Sequence, residues 1–227
     1  GIIFIEGKYV EQDISKALFY LELAAKQSYS ESFFTLGVIY STGKYMKIDI
    51  NKAINYYTMA AKMNHLAAQH NLGVLYFDGK LVPQDIYKAI HYHTLAANQN
   101  YMNSITDLGI IYHYGVGVKR DINKAIKYYS LAAEKNQPLS LFYLGEIYYY
   151  GFNVPPNINK AIKYLELSSN QNFARAQYFL GSIYLYNNFG LCDINKSVHY
   201  LTLAANQNHP ESQLMLGMIY FANQKIQ

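Results

Sequence analysis

The side chains that carry most protein chemistry are sparse in this sequence. It has seven His and a single Cys. His91 and His93 lie two residues apart in a helical stretch, so at about 100° per residue they point to different sides and do not share an ion. His70 and His113 fall on one face of consecutive repeating segments, with Glu146 on the next, and read as polar lining of a groove. No metal site and no cofactor are expected. Cys192 has no Cys to pair with, which excludes an internal disulfide, and it sits in a loop as an ordinary thiol. The sequence lacks a Gly-rich phosphate loop, a Gly-x-Ser-x-Gly elbow and a His-Glu-x-x-His pair, so no catalytic residue is expected. Asn195-Lys196-Ser197 has the form of a glycosylation sequon, but the repeat described below accounts for it.

Tyrosine is the abundant functional group, with 25 copies and no Trp. Twelve recur at fixed intervals and are expected to be structural: Tyr20, Tyr40, Tyr56, Tyr76, Tyr92, Tyr112, Tyr128, Tyr148, Tyr164, Tyr184, Tyr200 and Tyr220. Others vary between copies. Tyr114, Tyr149, Tyr150, Tyr178 and Tyr186 gather on the variable face of three consecutive helical segments, joined by Phe142 and Leu185. Aromatic side chains on an open face suit partner binding, because they offer large contact area with few rotors. Glu146 and Arg175 on that face can fix the direction of a charged partner, and Ser182 and His113 complete the candidate groove.

The positioning elements follow from an internal period of 36 residues. Leu-Gly occurs at Leu36-Gly37, Leu72-Gly73, Leu108-Gly109, Leu144-Gly145, Leu180-Gly181 and Leu216-Gly217. Asp13-Ile14 returns as Asp49-Ile50, Asp85-Ile86, Asp121-Ile122, Asn157-Ile158 and Asp193-Ile194 at the same interval. Each period reads as two helices, A over 30–42 and B over 49–63 in the second copy. Gly43 and its equivalents (Gly7, Gly79, Gly115, Gly151, with Asn187 in the last) stop helix A, and Asp49 and its equivalents cap helix B. Asn64, Asn100, Asn136, Asn172 and Asn208, with Ser28, end helix B. Leu36, Ile39 and Tyr40 mark the stacking side of helix A. The glycine after each Leu lies in mid-helix, where it costs about 1 kcal/mol relative to Ala, and predicts close approach of a neighbouring backbone. One pair of helices cannot bury this much apolar surface, so neighbours must stack. Six periods leave eleven of the 227 residues over. The reading frame of the repeat opens in mid-helix A and closes after an unpaired helix A, and the expected organisation is one array over 1–227 cut from a longer one.

The motif Leu108-Gly109-Ile110-Ile111-Tyr112-His113-Tyr114-Gly115, then Asp121-Ile122-Asn123-Lys124-Ala125-Ile126-Lys127-Tyr128 and Ala132-Ala133, resembles the Sel1-like repeat (SLR) family, a longer relative of the tetratricopeptide repeat. The resemblance implies an all-α fold, a right-handed α/α superhelix of six helix-turn-helix repeats with the A helices on the concave side. Asn157 in place of Asp and Ser168-Ser169 in place of Ala-Ala are small departures from its pattern. It implies a non-catalytic scaffold or adaptor with a protein or peptide partner, as family members serve in signalling, membrane-protein degradation, cell-wall enzyme activation and bacterium–host contact. Two alternatives are weaker. Single-stranded RNA binding by a helical-repeat protein would want a basic stripe, and the variable face carries Arg175 against Glu31, Asp78, Glu146 and Glu211. A β-lactam-binding or β-lactam-hydrolysing repeat enzyme would resemble disulfide-stapled relatives with paired Cys in each unit, which this chain lacks. The formal charge of +4 comes without a Lys/Arg run, so no nucleic-acid partner is expected. No apolar run approaches the eighteen or so residues of a membrane span. A lone Cys and no leader pattern in these residues lean towards the cytoplasm without fixing it.

Overall fold

The computed structural model of the chain describes residues 12–186 and 189–224. Gly7 and Asn187, two of the expected helix stops, lie outside these residues. Among the described residues there are twelve α-helices and no strand. They are α1 (Ile14–Lys26), α2 (Ser30–Thr42), α3 (Ile50–Lys62), α4 (Leu66–Asp78), α5 (Ile86–Ala97) and α6 (Met102–Tyr114), followed by α7 (Ile122–Ala133), α8 (Pro138–Tyr150), α9 (Ile158–Ser169), α10 (Ala174–Leu185), α11 (Ile194–Ala205) and α12 (Pro210–Gln224). Even-numbered helices are the A helices of the repeat and odd-numbered ones the B helices. The chain falls into two compact units, one up to Leu108 with Val116–Val118, the other Gly109–Gly115 with everything from Lys119.

The same local chemistry builds every turn. The backbone N–H of Lys52 donates to the Asp49 carboxylate at 3.0 Å, and Lys16, Lys88, Lys124 and Lys196 do the same with their own caps. Asn157 substitutes its amide oxygen for the carboxylate, accepting from the Lys160 N–H at 2.9 Å. From Asp49 onward each cap residue's own N–H donates to the carbonyl of the preceding A-helix Tyr, as Asp121 does to Tyr112 at 2.9 Å, which fixes the loop length. Gly115 has φ +68° and ends α6 in the left-handed region, where a Cβ would be strained. Ser28 and the five Asn that follow helix B hold φ between 57° and 62°, the conformation Asn tolerates better than most residues. Pro138 and Pro210 open α8 and α12, where no N–H is needed.

Packing repeats with the same fidelity. In five repeats the A-helix Tyr stacks on the B-helix Tyr sixteen residues later, with centroids 5.7–6.0 Å apart. The Lys behind each cap lies over the A-helix ring, 4.8–5.0 Å from its centre. Around these pairs Leu36, Ile39, Ala53 and Ala60 are buried in the first unit, and Leu144, Ile147, Ala161 and Leu180 in the second. Ser168 and Ser197, at positions otherwise held by Ala, remain buried because their hydroxyls donate to the carbonyls of Pro138 and Gly181.

The mid-helix glycines differ from expectation. What fills their space is chiefly a side chain twenty residues on, a knob from helix B, with its backbone only secondarily close. A Cβ on Gly37 would lie 2.5 Å from the Tyr57 ring, on Gly109 2.5 Å from Tyr129, and on Gly145 2.6 Å from Leu165. Backbone atoms are among the three nearest at Gly145 and Gly181, at 3.4 and 3.3 Å.

Candidate functional site

Helices α8 and α10 bring most of the candidate groove residues together in the second unit. A cavity of about 500 Å³ opens there. Phe142, Glu146, Tyr149 and Tyr150 enter it from α8, and Arg175, Tyr178 and Ser182 from α10, with Tyr186 at its end. The offsets 142, 146, 149 and 150 lie along one helix face, opposite Leu144 and Ile147, although Phe142, only 4% exposed, belongs to the core as well as to the cavity wall. His209 and Glu211, at the start of α12, close the wall; neither belongs to the set expected from sequence. Tyr178 lies against the His209 ring at 4.9 Å. Phe179 underlies the floor, 5.0 Å from Tyr149 and 5.9 Å from Tyr150.

The charges are held in place by rings. The Arg175 guanidinium lies 4.5 Å from the centre of Phe142 and 5.7 Å from Tyr143, a cation–π seat that keeps it at the cavity wall. Burial pushes the Glu146 carboxyl above the usual carboxylate range, and Arg175 partly opposes that. Burial raises the Tyr150 phenol too, helped by Glu146. Ser182, the one aliphatic hydroxyl in the wall, donates to the Tyr178 carbonyl at 3.0 Å. His209 Nδ1 faces Glu211 at 3.5 Å and Ser212 at 3.1 Å.

Three candidates stand apart from this cavity. Leu185 is half-buried and does not line it. Tyr114 is exposed, stacked on His113 at 4.6 Å, with its phenol pushed up to about 12 by burial, then by Tyr143 and Glu146. His113 is the clear correction: it is interior, not groove lining. It is only 3% exposed, edge-on to Tyr129, Tyr143 and Phe152 at 5.8–6.0 Å. The loop residue Phe152 covers it, and burial depresses its pKa to about 4, with Arg120 adding to the effect.

The Sel1 repeat family model matches residues 1–29, 34–65, 66–101, 103–137, 138–173 and 174–209. The chain belongs to the Sel1 repeat family. Among proteins with curated descriptions none matches it significantly. Among solved structures, it is similar to c5321, a protective antigen of uropathogenic Escherichia coli with an SLR fold, at 26% identity and TM-score 0.84 over 96% of this chain. The chain spans 47% of that protein's length. A Sel1 repeat protein from Oxalobacter formigenes matches at 28% identity and TM-score 0.79, over 91% of this chain and 84% of that one. The immunity protein Pa5087 from Pseudomonas aeruginosa shares the fold at 22% identity and TM-score 0.56, over 81% of this chain and 67% of its own. Sel1 repeats generally mediate protein–protein interaction and are generally non-catalytic. Among the described residues, no helix is long and apolar enough to cross a membrane.

One cluster departs from the Sel1 repeat pattern in the first unit. His70, expected as groove lining, meets His93 and Asp107. Ser104 Oγ lies 3.2 Å from Nδ1 of both imidazoles. Burial depresses the His70 pKa and takes His93 to about 3, with His70 adding to the latter. Burial raises Asp107 to about 7, with Asp78 contributing. The signal for this cluster was present in the sequence. His93 occupies the knob position that holds Leu or Tyr in every other copy.

Proposed function

We propose that this chain is a non-catalytic interaction scaffold that seats an extended segment of a partner protein in the cavity between α8 and α10. The observation that carries the reading is the convergence of Phe142, Tyr149, Tyr150 and Tyr178 with Glu146 and Arg175 around one opening. Its volume suits one or two side chains. Tyr150 and Tyr186 are more than half exposed at its rim, so their rings are free to bury area against a ligand. Arg175 is already seated on aromatic rings, whereas Glu146, and Glu211 beside His209, bring carboxylates to the opening. The segment that fits carries an apolar anchor beside a Lys or Arg. Ser182 spends its hydroxyl on a helix carbonyl, which supports binding over catalysis.

The test needs no prior partner. Peptides selected against the chain from a random displayed library are titrated against Tyr149→Ala/Tyr178→Ala and Lys127→Ala/Lys163→Ala. Losing two aromatic anchors should weaken binding by at least about 10-fold, since a hot-spot side chain is worth about 2 kcal/mol. The lysine pair should change it less than about 2-fold. Enrichment of basic-aromatic peptides with that pattern supports the proposal. A selection without enrichment, or peptides that respond to the lysine pair alone, overturns it.

A further inference from the structure

We propose that His70, His93 and Asp107 form a binding site for one divalent transition-metal ion of the zinc class. The three residues come from α4, α5 and α6 and offer two ring nitrogens and a carboxylate oxygen, all within 4.8 Å of one another. Asp107 Oδ2 lies 3.4 Å from His70 Nδ1 and 3.6 Å from His93 Nδ1. Zinc bound tetrahedrally at 2.0–2.1 Å places its ligand atoms about 3.3 Å apart. Two edges of the required triangle are therefore already close to size, and the third is at most 4.8 Å.

The hydrogen bonding points the same way. Asp107 Oδ2 is buried and accepts no hydrogen bond, although two imidazoles stand beside it. An orphaned carboxylate oxygen is costly in an interior. This one stands beside one ring nitrogen of each imidazole, and a cation held by all three atoms would satisfy it. Among the described residues no Lys or Arg makes an ion pair with Asp107. His70 and Asp107 keep 19% and 30% of their side chains exposed, so the cluster lies near the surface. Ser104 Oγ is placed to hold the ring nitrogens in register before the ion arrives.

The repeat supplies a second, independent argument. At the phase of His93 the other copies carry Leu21, Tyr57, Tyr129, Leu165 and Leu201. At the phase of His70 they carry Phe34, Thr106, Phe142, Tyr178 and Leu214, and at that of Asp107 Thr35, Asn71, Tyr143, Phe179 and Met215. Neither a His at the first two positions nor an acid at the third recurs elsewhere. Three departures from the packing pattern meet at one point. Gly73 makes room for this: a Cβ there would lie 2.6–2.7 Å from the His93 ring.

The experiment uses the whole chain, stripped with chelator, in a Cys192→Ser background because that thiol is exposed and binds soft metals. Zn²⁺ is titrated by calorimetry and Co²⁺ by its visible d–d absorption. One equivalent of either ion should bind, with the intense bands of a four-coordinate Co²⁺ site. His93→Leu, His70→Phe and Asp107→Asn should each weaken binding by more than about 10-fold. The first two restore residues found at the same phase in other repeats, so both variants should keep their helical signal. His91→Gln and His199→Gln, at exposed positions, should change affinity less than about 2-fold. The ion should raise the Tm of the parent and leave that of His93→Leu unmoved. Binding that survives in all three variants marks adventitious surface sites and overturns the proposal, as does the lack of saturable binding in the parent.

Discussion

Gly109→Ala and Gly217→Ala are the same chemical change at the same repeat position, and the structure predicts that only the second stabilises. Both glycines lie in mid-helix, so an Ala there gains about 1 kcal/mol of helix propensity. At Gly217 nothing lies within 4 Å of the added methyl, and the gain is kept. At Gly109 the methyl would sit 2.5, 2.6 and 3.1 Å from three atoms of the Tyr129 ring. Tyr129 has no freedom to leave. It is fully buried, stacked on Tyr143 at 5.0 Å and edge-on to His113. Overpacking of this kind costs about 1–3 kcal/mol. Gly109→Ala should therefore come out neutral to about 2 kcal/mol destabilising.

A double-mutant cycle separates the two contributions. Tyr129→Ala alone should cost about 3–5 kcal/mol through the cavity it leaves. In that background the clash is gone, and adding Gly109→Ala should stabilise by about 1 kcal/mol. Thermal unfolding followed by circular dichroism reads each corner, with a shift in Tm of about 2–4 °C per kcal/mol at this chain length. In a repeat array stability is a sum of repeat and interface contributions, so amide exchange within α12 is the proper readout for Gly217→Ala. If Gly109→Ala stabilises the wild-type background as much as the Tyr129→Ala background, the knob-into-glycine account is wrong.

The buried His113 predicts acid sensitivity. Its folded pKa of about 4 lies below the unfolded value of about 6.5, so the unfolded chain binds the extra proton and stability falls as pH drops through that window. The full loss is of order 3 kcal/mol, and His113→Phe should abolish that share of it; urea midpoints at pH 7 and pH 4.5 that shift equally in both proteins would refute the assignment. Asp121→Ala removes the acceptor for the Lys124 N–H and should cost about 1 kcal/mol, whereas Asp121→Asn should retain most of it, as Asn157 does in the next repeat. Equal losses for Ala and Asn in a thermal melt would assign the effect to charge instead of capping.

The parts of the fold that were legible in the sequence are those decided within a few residues. Asp49, Gly43 and Asn64 act on backbone groups three or four positions away, so their spacing reveals helix ends without knowledge of packing. The candidate groove was readable for the same reason in α8 and α10, where offsets from Leu144 and Leu180 separate committed faces from open ones. His113 shows where that logic fails. It obeys the offset rule and yet is interior, because Phe152, beyond the Gly151 stop, folds back over it, and no periodicity specifies where a loop ring lands. His70, His93 and Asp107 failed for another reason. A wheel drawn on α5 alone separates His93 from His91 and stops there, while the contacts that matter are made 23 residues earlier and 14 later. Those separations are fixed by the same geometry that sets each knob twenty residues after its glycine. Once that register is known, a polar residue at a knob position identifies its neighbours by arithmetic. The register itself had to come from the structure, because Tyr, Leu and His all satisfy the helical pattern there and only the packed glycine shows which way the side chain points.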